Sequence, residues 1–248
     1  MHNHGDFPAE SIFLIPAVAA VAAYWAGAGR SGQWPPWRLV SFIAGVLTVL
    51  LTVLEPLAGW SHTDFTALCL SHVMAGMAGP LLLVLARPVD LALRTLDEIP
   101  AARLGRLIRG APARFLAHPV TATVLVAAGM WAMFHTGMLA AMQQSMPVHW
   151  LVSGYLVATG CLFTAAVLGT APVRHSPALR AGTLFAAAAV HAGLAVWLVF
   201  VPPPGTGNSA AGAVVLLAAG LAVQGVLGAV LLGQQRGPAR LLPQTRRA

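Results

Sequence analysis

The chain has 248 residues, 58% hydrophobic and only 8% charged, far below the roughly 25% charged content of soluble globular domains. Composition therefore excludes an ordinary soluble enzyme or binding module and identifies an integral membrane protein. The formal net charge of +7 rests on arginine alone, because no lysine occurs; a nucleic-acid interface would gather such charge on one soluble face, and here it is confined to short segments between apolar runs.

Seven runs are apolar and long enough to cross the roughly 30 Å hydrocarbon core as helices: residues 10–29, 37–57, 64–86, 118–140, 148–169, 179–201 and 210–234. Residues 1–9 precede them as a tail. Asp6 and Glu10 give this region acidic character and it has no basic segment, the opposite of a cleaved signal peptide, so the first run is expected to stay as a span. His2 and His4 in the tail are loose metal-capturing positions or ordinary polar residues. Glu55, followed by Pro56 near the end of span two, is the one carboxylate expected within the bundle, as a proton or metal partner or as a residue reaching to the interface. "GWSHTDF" places His62 and Asp64 ahead of span three, as a polar loop or as a pair that admits a ligand.

Span three holds Cys69, His72, Met74 and Met77. The largest loop, 87–117, alternates Arg103, Arg106 and Arg109 with Leu104, Leu107 and Ile108, which fits a short basic amphipathic helix on the membrane surface or a solvated linker. Span four ends in "MWAMFHTGM", span five opens on His149 and holds Cys161, and span six carries His191; His118 and His175 read as loop residues. "VPPPGTGNSAAG" at 201–212 stops span six with proline and glycine. Span seven contains "AAGLAVQGVLGAVLLG", whose small residues suit close helix packing in lipid. Residues 235–248 form a basic tail.

The arginines occupy alternate connections: Arg30 and Arg38, then Arg87 to Arg114, then Arg174 and Arg180, then Arg236 onward. Excess arginine in short loops marks the cytoplasmic face. The expected fold is therefore an all-α, seven-transmembrane-helix bundle over residues 10–234, with the N-terminus outside and both the 87–117 loop and the C-terminal tail cytoplasmic.

A rise of about 1.5 Å per residue then sets depths: His72 about 12 Å below the outer end of span three and His135 about 9 Å below that of span four, depths that allow the two to meet. His149 falls at the outer surface and His191 about 15 Å below it. Every methionine beyond Met1 lies in span three or between residues 130 and 146, and His135, Met138 and Met142 share one helical face by their spacing. Ionisable side chains at membrane depth are costly and mark function; thioether, imidazole and thiol donors suit Cu(I). The candidate metal-binding set is His72, His135, His149, His191, Met74, Met77, Met138, Met142 and Cys69. Packing is the competing role for each methionine, since thioethers fill core gaps against aromatic rings and Trp131, Phe134 and Trp150 stand in the same stretch. Zinc held by His72, His135 and His149 would leave the methionines without a ligand role. No His-Glu-x-x-His, nucleophile-elbow or phosphate-loop pattern is present, and the absence of lysine excludes a retinal Schiff base, so no enzyme is expected.

Four stretches carry a family resemblance. "LSHVMAGMAGPLLLVLARPVDLALR" at 70–94, "HPVTATVLVAAGMWAMFHTGM" at 118–138, "PVHWLVSGYLVATGCLFTAAVLG" and "PALRAGTLFAAAAVHAGLAV" follow in the order found in the CtaG-type cytochrome c oxidase assembly proteins of bacterial plasma membranes, which the chain resembles over about half its length. The resemblance implies a part in maturing the haem–copper oxidase, by helping copper reach its copper B centre, with His72, His135, His149 and His191 as the matching histidines. Implied partners are the oxidase catalytic subunit and an extracytoplasmic copper donor, in a lipid setting; homo-oligomerisation stays open. Two departures are visible: Leu68 and Cys69 stand where relatives often have a His–Met pair, and Ala171 where many have aspartate. The rival readings are a redox protein holding a b-type haem between histidines and a copper transporter.

Overall fold

A computed structural model describes residues 11–171, 173–203 and 209–236. It is all-helical over the described residues: α1 (Ser11–Arg30), α2 (Pro36–Leu51), α3 (Leu57–Thr63), α4 (Phe65–Val73), a π-helical turn (Met74–Ala78), α5 (Gly79–Leu85), α6 (Pro88–Thr95), α7 (Glu98–Arg109), α8 (Ala111–Leu116), α9 (Pro119–His135), α10 (Met138–Gln144), α11 (Met146–Leu168), α12 (Pro177–Phe200) and α13 (Ala210–Arg236). Five stretches among the described residues are long and apolar enough to cross a membrane: Ile12–Arg30, Phe65–Thr95, Pro147–Leu168, Pro177–Phe200 and Ala210–Gln235. Pro36–Leu51 and Pro119–His135 are shorter apolar helices. The protein is thus a multi-pass membrane protein, with large apolar side chains such as Trp25, Leu151, Phe185 and Phe200 left exposed on the outside of the bundle.

Both short helices stop at the same end of the bundle, for local reasons. Pro56 has no N–H to give the carbonyl four residues back, so the helix that the apolar run predicts to residue 57 ends at Leu51; the Glu55–Pro56 peptide is cis and α3 begins afresh. The helix predicted to residue 140 ends at His135, before Thr136–Gly137, and α10 follows. α3 and α10 therefore cap this end, which carries His62 and His149. The opposite end carries the arginines. There Arg87 adopts a left-handed conformation, φ 54°, between α5 and the Pro88 that opens α6. Arg103, Arg106 and Arg109 lie on α7, so this segment is helical rather than an extended linker.

The core runs through α4, the π turn, α5, α9, α11, α12 and α13, with α1 and α2 on its flank. One cluster near the histidine end gathers Cys69, Met130, Met133, Phe134, Leu194 and Leu216; a second near the arginine end gathers Leu81, Phe163, Val167 and Leu227. Arg180 closes the arginine end: its Nε donates to Val167 O at 2.6 Å and Nη2 to Gln234 Oε1 at 2.8 Å, beside Gly169 at φ 65°. α1 is held by Tyr24, which stacks on Phe42 at 4.1 Å, donates to Ala86 O at 2.7 Å and accepts from Trp34 Nε1 at 2.8 Å. Tyr24→Phe strands the Ala86 carbonyl and the indole N–H, and is expected to cost about 1–2 kcal/mol, read as a lower thermal midpoint in detergent with the helical content unchanged.

The π turn has a sequence cause. Pro80 cannot donate to the carbonyl of Gly76, four residues earlier, and the helix widens so that Gly79 N–H donates to Met74 O, five residues back. Widened turns of this kind recur at functional sites. This one begins two residues after His72.

Candidate functional site

His72 ends α4 and is 4% exposed. It forms a wall of two small cavities, each of about 30 Å³, room for a water molecule or a single ion. The first, the His149 cavity, lies toward the histidine end and brings His72, His149, Met133 and Met142 together with the hydroxyls of Thr52, Ser61, Ser71 and Ser153. The second, the His191 cavity, brings His72 to Met77, Met130, His191 and Gln224, with Thr123, Thr159 and Thr164.

Polar atoms in these walls lack partners. His72 Nδ1, His149 Nδ1, His191 Nδ1, Ser71 Oγ and Gln224 Oε1 are all buried without a hydrogen bond. Buried polar groups are nearly always paired in folded proteins, and here five unpaired ones gather around two adjoining cavities. His191 has one firm contact, Nε2 with Leu216 O at 2.8 Å. A carbonyl accepts only, so this nitrogen carries the proton and Nδ1 keeps its lone pair. At the rim, the exposed His62 lies against the buried His149, ring centroids 5.3 Å apart. Asp64 takes a structural role instead, its Oδ1 accepting from Ala67 N at 2.7 Å to cap α4.

Of the nine candidates from sequence, five line the cavities: His72 in both, His149 and Met142 in the first, Met77 and His191 in the second. The other four do not. Cys69 is fully buried in the apolar core, Met74 is half-buried within the π turn, and Met138 is exposed. His135 is exposed as well, stacked on Trp131 at 4.2 Å and beside Trp197 at 5.7 Å. The depths allowed His72 to meet His135; in the structure His72 shares cavities with His149 on one side and His191 on the other. Among the described residues no three His, Cys, Asp or Glu side chains converge as a metal cage. His2 and His4 fall outside the described residues. Glu55 is exposed and accepts from Gly59 N at 3.2 Å, outside both cavities.

Sequence reasoning passed over Gln224 and Ser71 as site residues, offered His62 only as an entry position paired with Asp64, and left Met130 and Met133 out of the donor set. Gln224 had a signal, as an amide inside an otherwise apolar run. Facing residues across helices leave no such signal.

The family model for cytochrome c oxidase caa3 assembly factors matches residues 19–236. The chain belongs to that family. The matched region takes in both cavities of this caa3 assembly factor family member and every residue that lines them. Its relatives include an uncharacterized protein of Mycobacterium bovis and one of Mycobacterium tuberculosis, each 31% identical over 194 residues. Those alignments cover 72% of this chain and 28% of the relative. A third, from Mycobacterium leprae, is 30% identical over 202 residues, 74% of this chain and 30% of the relative. The chain thus spans under a third of the length of these relatives. No solved structure matches it.

At the arginine end a separate pair, His118 and His175, meets with ring centroids 4.6 Å apart. Partial burial, and then the nearby His118, push the His175 imidazole below its ordinary pKa. His118 Nδ1 accepts from Val120 N at 3.3 Å as a cap of α9.

Proposed function

We propose that this chain is a seven-span plasma-membrane protein, N-terminus outside, that holds Cu(I) near its outer face and presents it to the catalytic subunit of a caa3-type cytochrome c oxidase as the copper B centre forms. The observation that carries the reading is the His149 cavity. Two imidazoles and two thioethers surround a space the size of one ion, below the exposed His62. The donors are few and soft, which suits Cu(I) over zinc or magnesium. With no third histidine or acid converging among the described residues, such a site releases its ion readily, as delivery by ligand exchange requires.

The span count and orientation have physical support. α2 and α9 have 16 and 17 residues, about 25 Å of helix, a little short of the hydrocarbon core. α3 and α10 extend these crossings toward the histidine end, and Thr52, Ser61 and Met142 from the segments that follow the two short helices line the His149 cavity. Arginine gathered at the other end supports a cytoplasmic assignment of that end. The alternative of a haem between His72 and His135 loses its geometric basis, because His135 faces Trp131 and Trp197.

A deletion strain tests the proposal. The expected result is a caa3-type oxidase that lacks copper at its copper B centre and recovers it when the gene is returned. An oxidase with full copper in the deletion strain, under copper limitation, would reject the role.

A further inference from the structure

The deeper of the two cavities has its own fixed donor. His191 is 1% exposed, and its Nε2–H donates to a carbonyl on α13 that also lies four residues before Gly220. The ring reaches that carbonyl only because Gly220 has no side chain: a Cβ there would collide with His191 Nε2, Cδ2 and Cε1. Holding one ring nitrogen on a backbone carbonyl while the other keeps a free lone pair is the arrangement by which proteins orient metal-ligating histidines. The free atom, Nδ1, is buried and unpaired, as are His72 Nδ1 and Gln224 Oε1 in the same wall.

The chemistry of the wall selects the occupant. Among the described residues no carboxylate lines the cavity, so a divalent cation would leave its charge uncompensated in an apolar interior, at far greater cost than a monovalent one. Among monovalent cations, sodium and potassium seek several oxygens; here the Thr123 and Thr159 hydroxyls are turned to backbone carbonyls, and beside the Thr164 and Gln224 oxygens the wall presents imidazole nitrogen and the thioethers of Met77 and Met130, donors for Cu(I) and for its redox-inert analogue Ag(I). We infer that the His191 cavity is a second, deeper holding position for a soft monovalent cation, with His191 Nδ1 its fixed donor and His72, the wall common to both cavities, passing the ion between them. The inference rests on the soft-cation reading of the His149 cavity. No electron is transferred: one His72–ion contact persists while a donor on one side is exchanged for a donor on the other. The unpaired Nδ1 of His72 leaves that nitrogen free to turn.

The test is Ag(I) stoichiometry of the full chain in detergent, with X-ray absorption at the silver edge. Wild type is expected to hold about two ions. His149→Ala/Met142→Ala is expected to keep about one, bound by nitrogen and sulfur. His191→Gln, which keeps a donor for Leu216 O, and Gly220→Ala, which displaces the ring, are each expected to lose that deeper ion while retaining the outer one. A single ion that survives both His191→Gln and Gly220→Ala and vanishes in His149→Ala/Met142→Ala would overturn the inference, marking the deeper cavity as a place for water only, and would leave the delivery role intact. Wild type that binds no Ag(I) would overturn the soft-cation reading of both cavities. Thermal unfolding of each variant separates lost donors from a lost fold.

Discussion

Gly160→Ala is expected to destabilise the bundle by about 3 kcal/mol, a fall in thermal midpoint on the order of 10 °C, and to disturb the cavities at the same time. Gly160 sits on α11 directly over the π turn. A Cβ there would collide with the carbonyl oxygen of Gly76, lie 3.0 Å from the Gly76 carbonyl carbon and come within 2.7 Å of Pro80 Cγ. Two of these three atoms are backbone and the third belongs to a ring, so no rotamer change relieves the contact. α11 must move away from the π turn, and with it Leu156 and Thr159, which help to line the cavities around His72. Gly154→Ala is the control on the same helix: its Cβ would meet nothing within 4 Å, and replacing an exposed helical glycine removes a cost of about 0.5–1 kcal/mol. Equal midpoints for the two variants would show that the close approach of Gly160 to Gly76 is not a constraint on the fold.

The same pair of helices shows what a sequence does and does not reveal here. Apolar length locates the helices because the bilayer sets how long a crossing must be. It misses the early ends of α2 and α9, because a window of mean hydropathy does not register that Pro56 lacks a donor. Pro80 could have been read in the same local terms, as the source of a widened turn after His72. That His72 and His191 lie inside the bundle was legible, since both fall well within apolar runs, and both are buried. Their partners were not. α9 is apolar on nearly every side, so nothing in its sequence states which face turns inward, and His135 ends up against Trp131 and Trp197 instead of His72. The orientation of His191 depends on a glycine 29 positions later in another helix. Such cross-helix fits arise only once the bundle is assembled.

Under the proposed role, His72→Ala is expected to remove copper delivery almost completely, whereas His135→Ala leaves it near the wild-type level. His72 is the side chain shared by the two cavities, so its loss takes a donor from each and joins them into one larger hole with the imidazole gone. Loss of a ligand's orienting partner alone lowers metal affinity by about 10- to 100-fold, and loss of a proposed ligand itself is expected to cost at least as much. Deletion strains complemented with each variant would report this as oxidase copper content and activity under copper limitation. The His72 variant is expected to fall by at least about 10-fold. Stability does not account for such a fall: truncating His72 opens a cavity but also removes a buried nitrogen that has no hydrogen bond, two effects of opposite sign, so the purified variant should unfold within a few degrees of wild type. His135, exposed on its tryptophan pair, lines neither cavity. Copper delivery that failed with His135→Ala and survived His72→Ala would move the site from the interior of the bundle to the Trp131–Trp197 surface, where an ion would be reached from outside the helices rather than held among them.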